Sequence, residues 1–114
     1  MDECIFCRII NKEIPSKIVY EDDFVIAFDD IKPQAPVHVI VIPKKHVKDI
    51  SELSEEDGVL HTAMMKACVK VAEIKGIKQD GFRLINNCGR NAGQTVFHVH
   101  IHVLGGRCFG DTII

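Results

Sequence analysis

The sequence predicts an α+β domain: an antiparallel five-stranded sheet carrying one long helix and a short N-terminal helix. Three observations lead there. Five runs rich in β-branched and aromatic residues, KIVYE, FVIAFDD, VHVIVIP, GFRLINN and VFHVHIHVL, have the spacing and composition of strands. Most links between them are short, which favours antiparallel pairing over parallel crossovers. Only one long segment, near the middle of the chain, repeats its apolar residues with the period of a helix.

Taken in order, CIFCRIINK reads as a short helix, ended near Pro15, with Ile5, Phe6, Ile9 and Ile10 covering one side. KIVYE and FVIAFDD follow, separated by the turn-forming Asp22 and Asp23, and form a hairpin. VHVIVIP, bounded by Pro36 and Pro43, is a central strand with His38 near its start. Ser54 and Asp57 make a Ser-x-x-Asp cap for the long helix, and Gly76 supplies its stop. The helix stripe is Leu60, Ala63, Met64, Ala67, Val71 and Ile74; Met64 and Met65 read as core at this spacing rather than as a binding surface. Between the last two strands, CGRNAGQT is a polar, glycine-bearing loop of the kind that turns backbone N–H groups toward an anion.

At 114 residues the chain is long enough for one core and not for two, so residues 1–114 form a single domain. With 46% hydrophobic residues, 26% charged residues and a net charge of -2, there is no electrostatic basis for nucleic-acid binding. The opening MDECIFCRIINKEIP lacks the form of a signal peptide and no stretch approaches membrane-spanning length, so a cytoplasmic protein is expected. The 5 cysteines do not form a disulfide framework. Cys4 and Cys7 have the spacing of a metal clip, with two buried free thiols as the alternative; Cys68, Cys88 and Cys108 have no such spacing and read as structural.

The stretch VFHVHIHVLGG holds His98, His100 and His102, half of the 6 histidines. In an extended chain these alternate residues project to one face while Val99, Ile101 and Val103 pack behind them. A lone strand histidine is ordinarily a satisfied core or surface residue. Three on one face can surround a phosphate-sized group, and their crowding favours the neutral, nucleophilic imidazole near neutral pH.

His98-Val99-His100-Ile101-His102-Val103-Leu104, preceded by Gly93-Gln94-Thr95, resembles the signature of the histidine triad (HIT) family. The likeness extends to Phe28-Asp29-Asp30-Ile31, Gln34-Ala35-Pro36, His38 and Pro43-Lys44-Lys45-His46, covering roughly residues 4 to 107, and is strongest to the Hint branch of nucleoside phosphoramidases and nucleotidyl hydrolases. The resemblance implies a HIT-like fold and a hydrolase acting on purine nucleoside phosphoramidates or aminoacyl-adenylates, with an AMP or GMP moiety bound. By it, His100 is the nucleophile that forms a nucleotidyl-histidine intermediate. His102 contacts the phosphate and, with Thr95, helps protonate the leaving amine; N–H groups around Gly93 and Gln94 stabilise the phosphoryl oxygens; and His38 completes the cluster.

The same resemblance places Asp30 on the ribose hydroxyls and Asn86 at the phosphate end, with Ile5, Phe6, Ile9, Phe28 and Ile31 as the apolar slot for the base, although each of these apolar residues reads equally well as core. It gives Cys4 and Cys7 two further ligands, His46 and His98, for a structural zinc, with no organic cofactor. It also implies a homodimer joined across the long helix and the strand near GFRLINN. The end of the chain departs from the family pattern: CFGDTII stands where Hint relatives carry a Trp-Pro-rich tail that reaches the partner's active site. The competing readings are a dinucleoside polyphosphate hydrolase of the Fhit type, which Thr95 beside Gly93-Gln94 disfavours, and a nucleotide- or zinc-binding interaction protein with little catalysis, which the intact His100 disfavours.

Overall fold

A computed structural model describes residues 3–114. Its elements are α1 (Ile5–Ile10), β1 (Ile18–Glu21), β2 (Val25–Asp29), β3 (Val37–Pro43), α2 (Gly58–Ile74), β4 (Phe82–Ile85) and β5 (Ile101–Gly105). The five strands form one sheet in the order β1-β2-β3-β5-β4, and every neighbouring pair is antiparallel. The five-stranded antiparallel sheet with one long and one short helix is as the sequence predicts.

The alternation of side chains divides the sheet into two faces. Val25, Ala27, Val39, Val41, Ile101 and Val103 turn toward Leu60, Met64, Ala67 and Val71 of α2 and form the larger core. Ile26, Phe28, Ile40 and Ile42 turn the other way and meet Phe6 and Ile9 of α1. His38 and His102 project from that second face, so α1 closes one side of the space in which they stand.

Several local readings need correction. The histidine stretch is a ladder strand only from Ile101, because the β3 partner runs out at the Val41–Ile101 pair and then reaches Pro43, which has no N–H to donate. Residues 96–100 nevertheless keep the expected alternation, with Val99 buried in the α2 core and its N–H bonded to the Val47 carbonyl at 2.7 Å. Helix α1 stops at Ile10, with Lys12 at φ 62 turning the chain away before Pro15 is reached, and Ile5 is 47% exposed while Cys7 takes a buried place.

The Ser54–Asp57 capping box forms, but around a single 3-10 turn, so α2 proper begins at Gly58. Along it, Met65 is 52% and Ile74 57% exposed; Cys68 and Ala72 are buried instead, and Ile77 beyond the helix end packs close to Gly105. Of the three cysteines read as structural, only Cys68 is buried, and Cys108 is exposed. The tail folds against its own β4: the guanidinium groups of Arg83 and Arg107 pack on the Phe109 ring, 4.8 and 4.4 Å from its centre, and Arg83 donates to the Thr112 carbonyl at 3.0 Å. No helix among the described residues is long and apolar enough to cross a membrane.

Candidate active site and metal cluster

A cavity of about 950 Å³ opens on the α1 face of the sheet. His38 reaches it from β3, His102 from β5 and His100 from the residue just before β5, while Thr95 and Val96 line it from the preceding loop. Phe6, Ile9 and Phe28 form its buried apolar wall, Ile5 and Ile31 stand at its exposed rim, and Asp30 adds the carboxylate. Its size and lining, largely apolar with a few convergent polar groups, fit a small-molecule ligand.

His100 is held from two sides. Its Nδ1–H donates to the His98 carbonyl at 2.8 Å, which leaves the Nε2 lone pair free, and its own carbonyl accepts from Asn86 Nδ2 at 2.8 Å. Phe6 packs edge-on to the His100 ring with 5.1 Å between centroids. An imidazole fixed in tautomer and plane beside a cavity is suited to nucleophilic attack.

His102 lies next to it, with ring centroids 5.0 Å apart, and its Nδ1 is 2.8 Å from Nε2 of His38. Burial, with the neighbouring His100 and His38 adding to it, pushes the His102 pKa down to about 4. Burial lowers that of His38 also, against the opposing pull of Asp30, whose Oδ2 is 3.4 Å away. Both rings are therefore neutral at physiological pH. The Asp30 carboxylate is oriented through its other oxygen, which accepts the Lys32 N–H at 2.7 Å.

Asn86, Gly93 and Gln94 are not among the residues that line the cavity. Asn86 acts on the His100 backbone, as above. The Gln94 amide is buried and ties its loop together, accepting from Gly89 N–H and donating to the carbonyls of Lys48 and Val96. The N–H groups of Gly93 and Gln94 donate to the carbonyls of Arg90 and Gly89, so both are spent within the turn rather than presented to an anion.

A second cluster lies on the far side of His98. Cys4, Cys7, His46 and His98 bring four ligand atoms within 4.8 Å of one another. Nδ1 of His98 is 3.4 Å from Cys4 Sγ, 3.7 Å from Cys7 Sγ and 3.1 Å from His46 Nδ1, and the Cys7–His46 distance is 3.2 Å. These approach the edges, about 3.3 to 3.8 Å, of a tetrahedron with ordinary zinc–nitrogen and zinc–sulfur bonds. His98 Nε2–H donates to the Pro43 carbonyl at 2.8 Å, which turns the Nδ1 lone pair toward the other three groups, as a metal-ligating histidine requires. The residues present thus fit a tetrahedral metal. His98 uses its side chain here and its carbonyl on His100, so it joins the two clusters.

Sequence reasoning reached the side chains of both clusters, and a same-strand backbone carbonyl behind His100 is what the chemistry asks for; it missed two other backbone groups that orient them, the carbonyl of Pro43 and the N–H of Gln34. Backbone groups leave no residue-type signal.

These features define a largely apolar cavity walled by a histidine cluster on an antiparallel α+β sheet. The HIT domain family profile matches residues 11–109. A purine nucleoside phosphoramidase from Escherichia coli K12 is 48% identical over 112 residues, spanning 98% of this chain and 94% of that one. Among solved structures, a HIT family hydrolase from Clostridium thermocellum superposes with a TM-score of 0.97 at 51% identity, covering 100% of this chain and 99% of the other. A histidine triad protein from Clostridium difficile gives 0.92 at 46% identity, covering 98% and 96%. The chain belongs to the HIT family.

Proposed function

We propose that the protein is a purine nucleoside phosphoramidase, a hydrolase that cleaves P–N or related bonds at the α-phosphorus of AMP or GMP conjugates. The observation that carries this reading is the His98 carbonyl on His100 Nδ1–H at 2.8 Å, which leaves the opposite nitrogen of His100 free beside the cavity. His100 attacks phosphorus and displaces the amine, giving a nucleotidyl-histidine, and water then cleaves the new P–N bond and returns the neutral imidazole. His102 and Thr95, both on the cavity wall, face the phosphoryl oxygens and the leaving nitrogen. Asp30 accepts the ribose hydroxyls, and Phe6, Ile9 and Phe28 sandwich the base with Ile5 and Ile31 at the rim. The near-full-length likeness to a purine nucleoside phosphoramidase supports the substrate class.

Cys4, Cys7, His46 and His98 would hold a zinc ion whose four protein ligands leave no open position, so its contribution is structural. It would pin α1, which carries Phe6, to the segment after β3 through His46 and, through His98, to the chain just ahead of His100. All 5 cysteines are unpaired, which supports a reducing compartment and hence the cytoplasm. The edge strand β4 and the exposed Met65 and Val69 of α2 support a homodimer.

Turnover of adenosine and guanosine phosphoramidates by the purified protein, compared with diadenosine polyphosphates, tests the reading. Release of amine and nucleoside monophosphate from the phosphoramidates is expected. Hydrolysis confined to the polyphosphates, or none on either panel, would overturn it.

A further inference from the structure

Gln34, just ahead of β3, donates its backbone N–H to His38 Nδ1 at 3.0 Å. A backbone amide cannot act as an acceptor at nitrogen, so His38 Nδ1 must carry a lone pair and the single proton of the neutral ring sits on Nε2. That Nε2–H is 2.8 Å from His102 Nδ1. His102 Nδ1 in turn must accept, and the proton of His102 sits on its Nε2, which has no hydrogen-bond partner among the described residues and belongs to a ring lining the cavity.

We infer that Gln34 and His38 lock His102 as a permanent neutral hydrogen-bond donor toward the bound phosphate, rather than as an acid that gives up its proton. Gln34 and His38 are positioning residues in this scheme, and the inference rests on the phosphoramidase reading for its consequence. Giving up the Nε2 proton would leave His102 an imidazolate, because its Nδ1 carries no proton and accepts from His38, and His38 holds no second proton to pass on, its own Nδ1 facing the Gln34 amide. The relay has a closed end. The charged and titratable groups facing His102 are His100, His38 and Asp30; burial outweighs the one carboxylate and keeps the ring neutral.

The leaving nitrogen then takes its proton from water at the open cavity. The P–N bond of the substrate breaks as the P–N bond to His100 forms, the leaving amine gains that proton, and the hydroxide equivalent cleaves the nucleotidyl-histidine, so one water is consumed and His100 ends neutral. The same tautomer bears on a second group, Asp30, His38 and His102, whose potential ligand atoms also converge within 4.8 Å. His38 offers no lone pair at Nε2, so this group is a hydrogen-bond chain and not a metal triad.

Long-range proton–nitrogen NMR of 15N-histidine-labelled, metal-loaded protein tests this without any substrate. At neutral pH His38 and His102 should both show a protonated Nε2 and an unprotonated Nδ1, and the His102 pattern should be unchanged down to roughly pH 5, where an ordinary imidazole is already charged. A protonated Nδ1 on His102, or its titration near the ordinary imidazole pKa, would overturn the inference. In turnover, His38→Gln, whose amide N–H can still donate to His102, should stay within about tenfold of wild type in kcat, and His38→Leu should lose on the order of 100-fold in kcat with little change in KM. Equal losses in the two variants would also count against it. Absence of turnover in the wild type would instead sink the phosphoramidase reading and leave the NMR result to decide the tautomers on its own.

Discussion

The carbonyl of His98 accepts the Nδ1–H of His100 at 2.8 Å while the His98 ring, fully buried, faces Cys4, Cys7 and His46. One residue thereby orients the proposed nucleophile with its backbone and anchors a proposed metal with its side chain. Replacing His100 by Ala should lower kcat by roughly a thousandfold or more while leaving nucleotide affinity within a few-fold, because the missing group acts in the covalent step. Steady-state kinetics together with calorimetric titration of AMP check this.

The metal cluster makes a separable prediction. Protein purified without chelator should carry about one zinc per chain, given one four-ligand site, and the Cys4→Ser, Cys7→Ser double variant should carry none by elemental analysis. Its Tm should fall by roughly several degrees and its nucleotide affinity should drop, since α1 and Phe6 lose their anchor. Residual turnover at saturating substrate should persist, as expected of a structural ion; activity strictly proportional to zinc would make the ion catalytic.

Acid should weaken the fold through His102. Its folded pKa of about 4 lies below the ordinary value of 6.5, so the unfolded chain binds the proton first as pH falls. The stability linked to its neutral state is fully present above about pH 6.5 and is lost progressively as pH drops toward 4. Denaturant titrations across that window should show the decline, and His102→Phe should flatten part of it.

Gly106 tests the packing beside the β3–β5 pair. Its φ of 89° lies in the left-handed region, and an added Cβ would sit 2.8 Å from Pro36 Cβ. Gly106→Ala should therefore destabilise the fold by about 2 kcal/mol. An unchanged denaturation midpoint would contradict this placement of the turn.

Strand identities were legible because VHVIVIP and FVIAFDD carry β-branched runs bounded by proline or aspartate, and β3 spans the residues expected from them. The histidine face was legible because alternation survives even where the ladder does not. The late start of β5 was not, since it depends on Pro43 lying opposite, a matter of register between strands distant in sequence. The exposure of Met65 and Ile74 was equally hidden: helical period gives a stripe but not where the sheet beneath it ends. Asn86 and Gln94 are polar residues near a histidine motif, and nothing in residue type says that their amides are taken up by backbone carbonyls.

The central claim is that His100 Nε2 becomes covalently bonded to the nucleotide phosphorus. Rapid acid-free quenching during turnover of an adenosine phosphoramidate, followed by intact-mass measurement and peptide mapping, reads it directly. The account predicts a chain heavier by one adenylyl group, with the adduct on His100 in the peptide containing VFHVHIHVL and absent from the His100→Ala variant. An adduct on His98 or His102, or steady turnover with no adduct under conditions that slow the hydrolytic step, would contradict it.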